Sequence, residues 1–151
     1  MNSTATTPGF ATTLTDGAYY KIKSDHWGVY VDMVRTTSND YVIRGSEYDY
    51  SPNFKAEYVS STGKWRFISS SKYWTGSGYS TSSSNSQINV ELVDGGSSNL
   101  FCLKFDGKSY IKFYREWVPF EYNYKPAWQS YCGSWEKWHF ELQSKESPGS
   151  W

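Results

Sequence analysis

The stretch Gly-Lys-Trp-Arg-Phe at residues 63–67 places a glycine directly before a run of alternating polar and aromatic side chains. Similar stretches begin at Gly17 and Gly107, which stand 46 residues before and 44 residues after Gly63. Successive side chains of a β-strand point to opposite faces, so this alternation predicts a strand with one buried face. Its recurrence at a nearly constant interval predicts three similar units of β structure in one chain.

A second marker recurs beside the first. Aromatic, alternating runs stand at residues 54–58, 101–105 and 138–142. An apolar residue lies eleven positions ahead of each run, and these residues are Ile43, Val90 and Ala127. Together the two markers predict three units of roughly 40–47 residues, each with about four strands, and therefore about twelve strands in all.

Turn residues divide the rest of the chain into short segments. Gly, Ser, Asn and Asp recur every 8–12 residues or so between β-branched and aromatic runs, and apolar residues with helical spacing are missing. This rhythm predicts an all-β protein, either a sandwich or a barrel, and the threefold repeat favours the barrel. We expect a flexible N-terminal tail at residues 1–16, one domain at residues 17–143 and a C-terminal tail at residues 144–151.

The composition limits the classes of partner. The chain has 151 residues, 15 Lys and Arg against 15 Asp and Glu, and 20% aromatic residues. A neutral chain lacks the basic surplus with which nucleic-acid binders contact phosphates, and no apolar run reaches the roughly 18–20 residues of a membrane span. Residues 1–7 lack the basic and apolar regions of a secretory signal. We expect a soluble cytoplasmic protein that would leave the cell, if at all, by a non-classical route.

Cysteine and histidine are too few to predict a disulfide framework or a metal site. Cys102 and Cys132 are expected to be unpaired thiols, because the cytosol keeps thiols reduced. His26 and His139 have no Cys or His at ligand spacing, so the sequence predicts neither a metal nor a cofactor. His139 alternates with two aromatic neighbours and is expected to face outward from its strand.

Four short motifs connect the repeat with a known family. Gly-Val-Tyr-Val-Asp at residues 28–32 resembles the aliphatic-Asp motif of the ricin-B-type lectins, a branch of the β-trefoil family. Residues 99–101, 136–138 and 52–54 resemble altered copies of the Gln-x-Trp signature of that branch. The resemblance covers about residues 17–143. It implies a β-trefoil, with four strands per unit and a barrel capped by hairpins, of the kind found in neutral, cysteine-poor fungal lectins and related protease inhibitors.

The aromatic residues divide into two groups. Strand alternation places one group in the core: Trp65, Phe67, Phe101, Phe105, Trp138 and Phe140. The other group lies in loop-like sequence beside polar residues: Trp27, Tyr48, Tyr50, Tyr73, Trp74, Tyr79, Trp117, Tyr122, Tyr124, Trp128 and Tyr131. Exposed rings of this kind reduce solubility unless they belong to a binding surface.

A sugar is a suitable partner for such a surface, because a pyranose stacks its C–H face on a ring while its hydroxyls bond to carboxylates and amides. Residues 117–129 have the densest mixture of rings and hydrogen-bonding side chains, and Pro119 and Pro126 stiffen the segment. The candidate binding residues there are Trp117, Glu121, Tyr122, Asn123, Tyr124 and Trp128. The alternative is a hairpin cap packed on the end of the barrel.

Two further sites follow from the resemblance. In the first unit, Asp32 matches the residue with which the family accepts a ligand hydroxyl, while Tyr48 and Asn53 would replace its displaced ring and amide. The alternative is that Asp32 stabilises a hairpin turn. The second unit offers an incomplete or altered site around Trp74 and Tyr79.

No motif of a catalytic site occurs, and nothing in strand geometry requires Glu116 and Glu121 to face each other as a glycosidase pair. The sequence therefore predicts a carbohydrate-binding protein that is not an enzyme and needs no cofactor. Its partners would be glycans rather than nucleic acid or membrane, and a homodimer would add avidity. The alternative function is a β-trefoil protease inhibitor that presents the loop at residues 77–86 or 48–52.

Overall fold

The structure, a computed structural model, describes residues 9–35, 41–47, 51–75, 79–80 and 87–144, with the backbone alone at residues 35, 41, 79 and 80. The strands are β1 Tyr19–Ser24, β2 Tyr30–Arg35, β3 Tyr41–Ser46, β4 Phe54–Val59, β5 Lys64–Ser69, β6 Lys72–Tyr73, β7 Tyr79–Ser80, β8 Val90–Asp94, β9 Phe101–Phe105, β10 Tyr110–Val118, β11 Glu121–Gln129 and β12 Lys137–Gln143. A short 3₁₀ helix spans Ser134–Glu136. The prediction of an all-β protein is confirmed. None of the helical segments in the described ranges is long and apolar enough to cross a membrane.

Strand pairing closes the sheet into a barrel. Nine strands pair side by side in the order β1, β4, β5, β8, β9, β10, β11, β3 and β2. The ring closes because β2 also pairs with β1. The strand β12 joins two members of this ring, because it pairs with β1 from Tyr19↔Gln143 to Ser24↔Trp138 and also pairs with β9. The short strands β6 and β7 pair with β5 and β3. Closure leaves few strand edges open to other chains.

The core of the barrel is largely aromatic. Four of the rings predicted for the core are fully buried: Phe67, Phe105, Trp138 and Phe140. Trp65 and Phe101, predicted with them, are partly buried and pack against the core. Trp74 is also fully buried, although its sequence context predicts a loop position. Its backbone N–H donates to Phe67 O at 2.8 Å, so the chain beyond β6 still runs beside β5 and directs the indole inward.

The two cysteines form a disulfide, so the prediction of unpaired thiols is wrong. Cys102 lies on β9 and Cys132 just before the 3₁₀ helix, with 6.2 Å between their Cα atoms. That separation suits a disulfide, whose Cα atoms lie about 4.4–6.8 Å apart. The prediction depended on the expected compartment, whereas the pairing depends on the fold that brings two distant positions together.

The segment before β1 belongs to the folded part of the chain. Phe10 forms an isolated β-bridge with Glu141, and the Ala11 N–H donates to Phe140 O at 2.7 Å. These residues were expected to lie in the flexible tail. The Phe10 ring also stacks on His139, with 4.0 Å between the centroids. His139 is therefore only 9% exposed, whereas alternation predicts an outward-facing side chain.

Candidate functional site

The hairpin formed by β10 and β11 extends beyond the core of the barrel. Its strands pair without interruption from Tyr110↔Gln129 to Val118↔Glu121. On β10, Ile111 and Phe113 are fully buried, whereas Arg115 and Trp117, which continue the same face, are exposed. Alternate residues of a strand share a face. The face of the hairpin that packs on the core near its base is therefore exposed to solvent near its tip.

The tip of the hairpin carries an exposed and strained aromatic residue. Phe120 is 97% exposed and has a φ of 73°, in the left-handed region. A residue with a side chain in that region costs about 1–2 kcal/mol of backbone free energy. Pro119 precedes it and favours the turn by restricting its own φ. Packing within the chain does not offset the cost of Phe120, because its ring is almost fully exposed.

A cleft of about 440 Å³ lies between the hairpin and β3. Its lining residues are Arg44, Gly45, Ser46, Glu47, Trp117, Phe120, Glu121, Tyr122, Asn123 and Tyr124. Gly45 allows the two walls to approach, since β3 and β11 pair at Tyr124↔Gly45. A Cβ atom at Gly45 would lie 2.7 Å from the Cβ of Tyr124 and 2.7 Å from Cγ2 of Val29. Only glycine fits this contact without displacing a strand.

The deeper part of the cleft is polar and ordered. The Tyr124 hydroxyl donates to Oε1 of Glu47 at 3.0 Å, and Tyr124 itself is 5% exposed. Burial raises the pKa of Tyr124, and the hydrogen bond and negative charge of Glu47 raise it further against the opposing effect of Arg115. The phenol therefore stays protonated at neutral pH and holds the carboxylate of Glu47 at the edge of the cleft.

The outer part of the cleft is aromatic. Trp117 is 61% exposed and Tyr122 is 46% exposed. The two rings meet edge to face, with 4.8 Å between their centroids. The Arg115 guanidinium lies 4.1 Å from the centroid of Tyr122. Arg44 and Glu47 border the cleft from β3, and Glu121 and Asn123 border it from the opposite face of the hairpin. The cleft thus combines rings that can stack on an apolar face with carboxylates, an amide and a guanidinium that can hydrogen-bond to hydroxyls.

The structure brings five of the predicted binding residues together in this cleft: Trp117, Glu121, Tyr122, Asn123 and Tyr124. Trp128, predicted with them, lies near the other end of the hairpin. Its half-buried ring meets Phe105 edge to face at 5.5 Å, and Lys108 Nζ lies 5.3 Å from its centroid. Trp128 therefore supports the base of the hairpin and does not line the cleft.

The sites predicted in the first and second units are not assembled as expected. Asp32, opposite Arg44 in the β2–β3 ladder, is 1% exposed, and Asn53 is 5% exposed. Trp74 belongs to the core, so its ring is not available to stack on a sugar. Tyr48 lies outside the described residues, and of Tyr79 the structure describes the backbone, which pairs with Val42. Burial removes Asp32, Asn53 and Trp74 from the surface that a ligand meets.

Sequence reasoning missed the contribution of β3. Arg44, Ser46 and Glu47 carry no motif and lie more than seventy positions from the hairpin tip. The β3–β11 pairing alone brings them to the cleft. Phe120 could have been noticed in the sequence, because Pro-Phe between two strand-like runs is an unusual turn.

The carboxylates of Glu116 and Glu121 project from the same face of the hairpin, since Glu116 lies opposite Asn123 and Glu121 lies opposite Val118. Strand geometry read from the sequence did not predict this arrangement. Glu116 forms an ion pair with Lys125 at 3.2 Å, and both side chains are nearly half exposed. That arrangement is typical of a surface ion pair, whereas the general acid of a glycosidase is kept protonated by an apolar pocket.

In comparisons with known proteins, no protein-family model matches the chain and no curated protein matches its sequence. The interpretation of the cleft therefore depends on its own residues. Its combination of a ring surface, carboxylates, an amide and a guanidinium is typical of sites that bind small polar ligands with one apolar face.

Proposed function

We propose that this protein binds carbohydrate in the cleft between β3 and the β10–β11 hairpin. The observation that carries the proposal is the exposure of Trp117 and Tyr122 beside hydrogen-bonding side chains in one cleft. An exposed indole stacks on the C–H face of a pyranose, while Glu47 accepts hydrogen bonds from its hydroxyls. Glu121 and Asn123 border the cleft from the other face of the hairpin and bond to the parts of the ligand that reach that side. Such binding needs neither a metal nor a cofactor.

Preorganisation strengthens the proposal. The hairpin is paired along its whole length, Tyr124 holds Glu47 in place, and Arg115 packs on Tyr122. Because these contacts within the chain already fix the side chains, binding orders few additional groups and the entropic cost of binding is small. The site would be shallow, so we expect weak single-site affinity and a gain from multivalent glycans.

We also propose that the barrel is a β-trefoil of the ricin-B-like kind. Pairings among β1, β4, β5, β8, β9 and β12 form a smaller ring of six strands, and the other six strands lie between successive members of that ring. The division β1–β4, β5–β8 and β9–β12 supports three units of four strands. The turns after the first strand of each unit also agree, since Gly28, Ser71 and Gly107 all have positive φ. The proposed sugar site, however, lies on the third-unit hairpin and not at Asp32.

A glycan array with the full chain tests the proposed function. We expect binding to at least one class of glycan, competition by the free sugar, and about tenfold weaker binding for Trp117→Ala, which corresponds to about 1.4 kcal/mol. Tyr58→Ala is a matched control, because Tyr58 is 45% exposed and lies outside the cleft. Absence of binding to every glycan, or equal loss in both variants, would contradict the proposal.

A protease inhibitor on the same fold is the rival function. The segment at residues 48–52, named for that role, is described at Ser51 and Pro52, and both are buried. Most of the loop at residues 77–86 lies outside the described residues. Stoichiometric titration of a serine or cysteine protease separates the two functions, since an inhibitor abolishes protease activity at one equivalent and a lectin does not.

A further inference from the structure

A continuous row of rings and a guanidinium leads away from the cleft along the hairpin. We call it the aromatic ladder and define it by Trp117, Tyr122, Arg115, Trp27 and Trp135. From Trp117 the centroid of Tyr122 is 4.8 Å away, and Arg115 lies 4.1 Å from Tyr122 and 4.6 Å from Trp27. The indoles of Trp27 and Trp135 follow at 5.3 Å. The ladder therefore connects the hairpin tip with the 3₁₀ helix.

Contacts to the backbone hold the ladder rigid. Nε1 of Trp27 donates to Phe113 O at 2.8 Å, on the edge of β10 that is not paired with β11. Trp135 lies in the 3₁₀ helix, where the Gly133 N–H donates to Oε1 of Glu136 at 2.7 Å. The disulfide at Cys132 anchors the same turn to β9. Rings that are already fixed lose little conformational entropy when a ligand binds.

Both ends of the ladder offer ring surface to solvent. Trp117 is 61% exposed and Trp135 is 39% exposed. One side of the Trp135 ring is covered by His26, which stacks on it at 4.5 Å. The Trp117–Tyr122 contact is edge to face and leaves ring surface of Trp117 open, whereas Lys112 Nζ also lies over the Trp135 ring, 5.4 Å from its centroid. A ligand that contacts the exposed parts of both rings must be longer than a single pyranose.

Two cations at the ladder, Arg115 in it and Lys112 beside it, contact rings and neutral polar groups. Arg115 packs against Tyr122 and Trp27, and Lys112 Nζ lies 5.4 Å from the centroid of Trp135 and donates to Oε1 of Gln129 at 3.4 Å. Within the described ranges neither cation is within 4.0 Å of a carboxylate. Cation–π contacts leave the positive charge uncompensated, so an anion placed on the ladder would gain charge-assisted hydrogen bonds.

Three of the acidic residues next to the ladder have hydrogen-bond partners within the chain, and Glu121 projects from the opposite face of the hairpin. Glu47 accepts from the Tyr124 hydroxyl, Asp25 contacts Nε2 of His139 at 2.7 Å, and Glu136 is 2% exposed and accepts from Gly133. The surface of the ladder thus combines rings with positive charge in a chain of zero net charge.

We propose that the aromatic ladder binds further units of an acidic oligosaccharide, one with carboxylate or sulfate groups, whose first unit lies in the cleft. This inference deepens the proposed function and depends on it. Stacking on Trp117 together with contact at the exposed part of Trp135 selects for chain length, while Arg115 and Lys112 select for negative charge.

Titration calorimetry of the full chain tests the inference with four sugars: galacturonate, a galacturonate hexamer, a sulfated heparin-derived hexamer and the neutral maltohexaose. We expect at least one acidic hexamer to bind tenfold or more tightly than both galacturonate and maltohexaose, and to weaken as salt is added. The two acidic hexamers distinguish carboxylate from sulfate. Trp135→Ala should remove most of the advantage of the hexamer while leaving the affinity for the single sugar unchanged.

Tyr131→Ala is the matched control, because Tyr131 is 60% exposed on the same turn but outside the ladder. It should bind the hexamer like the wild type. Equal affinity for maltohexaose and both acidic hexamers, or an unchanged hexamer advantage in Trp135→Ala, would overturn the ladder while the cleft still bound sugar. Tighter binding of a thymidine oligonucleotide than of either acidic hexamer, lost in Trp135→Ala, would overturn it in favour of single-stranded nucleic acid. If no sugar binds, or Trp117→Ala changes nothing, the proposed function fails as well.

Discussion

The indole of Trp74 lies in the middle of the aromatic core, where its centroid is 5.1 Å from Phe105, 5.9 Å from Trp138 and 6.0 Å from Phe54. Its neighbours in sequence are Tyr, Thr, Gly and Ser, which are typical of a loop. Local sequence therefore predicts an exposed ring, and only the barrel determines that the ring is buried. A single residue can be misplaced in this way because burial is a property of the whole fold.

We expect Trp74→Ala to lower the free energy of unfolding by about 3–5 kcal/mol, because it removes a large buried ring and leaves a cavity. Trp117→Ala is the comparison, since this exposed ring should cost less than about 1 kcal/mol. Denaturant unfolding measures both. Similar losses in the two variants would mean that Trp74 is not a core residue.

We expect the contribution of Tyr124 to the stability of the fold to depend on pH. Its raised pKa means that the folded protein keeps the phenol proton above the ordinary value of about 10. The unfolded chain ionises first, so the contribution of Tyr124 to stability is present below pH 10 or so and is lost as the pH rises through the folded pKa. The difference in tyrosinate absorbance between the wild type and Tyr124→Phe measures this titration.

Glu47→Gln separates the causes of the raised pKa of Tyr124. It removes the negative charge beside the phenol and leaves burial and the opposing effect of Arg115, so we expect the pKa to fall. An unchanged tyrosinate titration in this variant would show that Glu47 does not act on Tyr124.

The sequence predicted where strands lie better than it predicted which strands occupy matching positions in the proposed units. Gly17 and Gly63 precede β1 and β5, the first strands of two of the proposed units, but Gly107 precedes β10, the second strand of the third proposed unit. Likewise, the run at residues 101–105 is β9, whereas the related runs are β4 and β12. A glycine before an alternating run reports a tight turn before a strand. It does not indicate which strand of a proposed unit follows. The markers therefore predicted the number of strands, but not where each proposed unit begins.

The disulfide between Cys102 and Cys132 closes a loop that contains the whole β10–β11 hairpin. The two cysteines have a sequence separation of 30. We expect Cys102→Ser/Cys132→Ser to lower the free energy of unfolding by about 2–4 kcal/mol, because the unfolded chain regains the entropy of an open loop. Scanning calorimetry should show a melting temperature lower by roughly 5–15 °C.

Reduction provides the control for the disulfide. A reductant should lower the melting temperature of the wild type to that of the double variant and leave the double variant unchanged. A wild type whose melting temperature does not respond to reduction, under conditions where free thiols are detected, would contradict the stabilising role.

At the scale of the whole molecule, the two ends of the described chain meet. The strand β12 pairs with β1 and β9, and residues on it also contact Phe10 and Ala11. Two of its side chains, Trp138 and Phe140, are fully buried in the core. The last strand therefore completes both the sheet and the core, and the barrel depends on pairing between residues more than one hundred positions apart.

Truncation tests this dependence. A chain that ends after Glu136 lacks β12 and should show no cooperative unfolding transition by circular dichroism, because β1 and β9 lose the strand that joins them and two core rings are missing. A chain that ends after Ser144 keeps β12 and should unfold like the full chain. Cooperative unfolding of the shorter chain would show that the barrel folds without its last strand.

The sequence by itself determined the fold class, the strands and the segment at residues 117–124 that forms most of the cleft, because alternation, turn residues and composition are properties of consecutive residues. Tertiary structure alone decided that Trp74 is core, that Cys102 meets Cys132, and that Arg44, Ser46 and Glu47 complete the cleft. Those outcomes depend on contacts between distant parts of the chain, and the energies of such contacts arise only when the closed barrel brings the residues together.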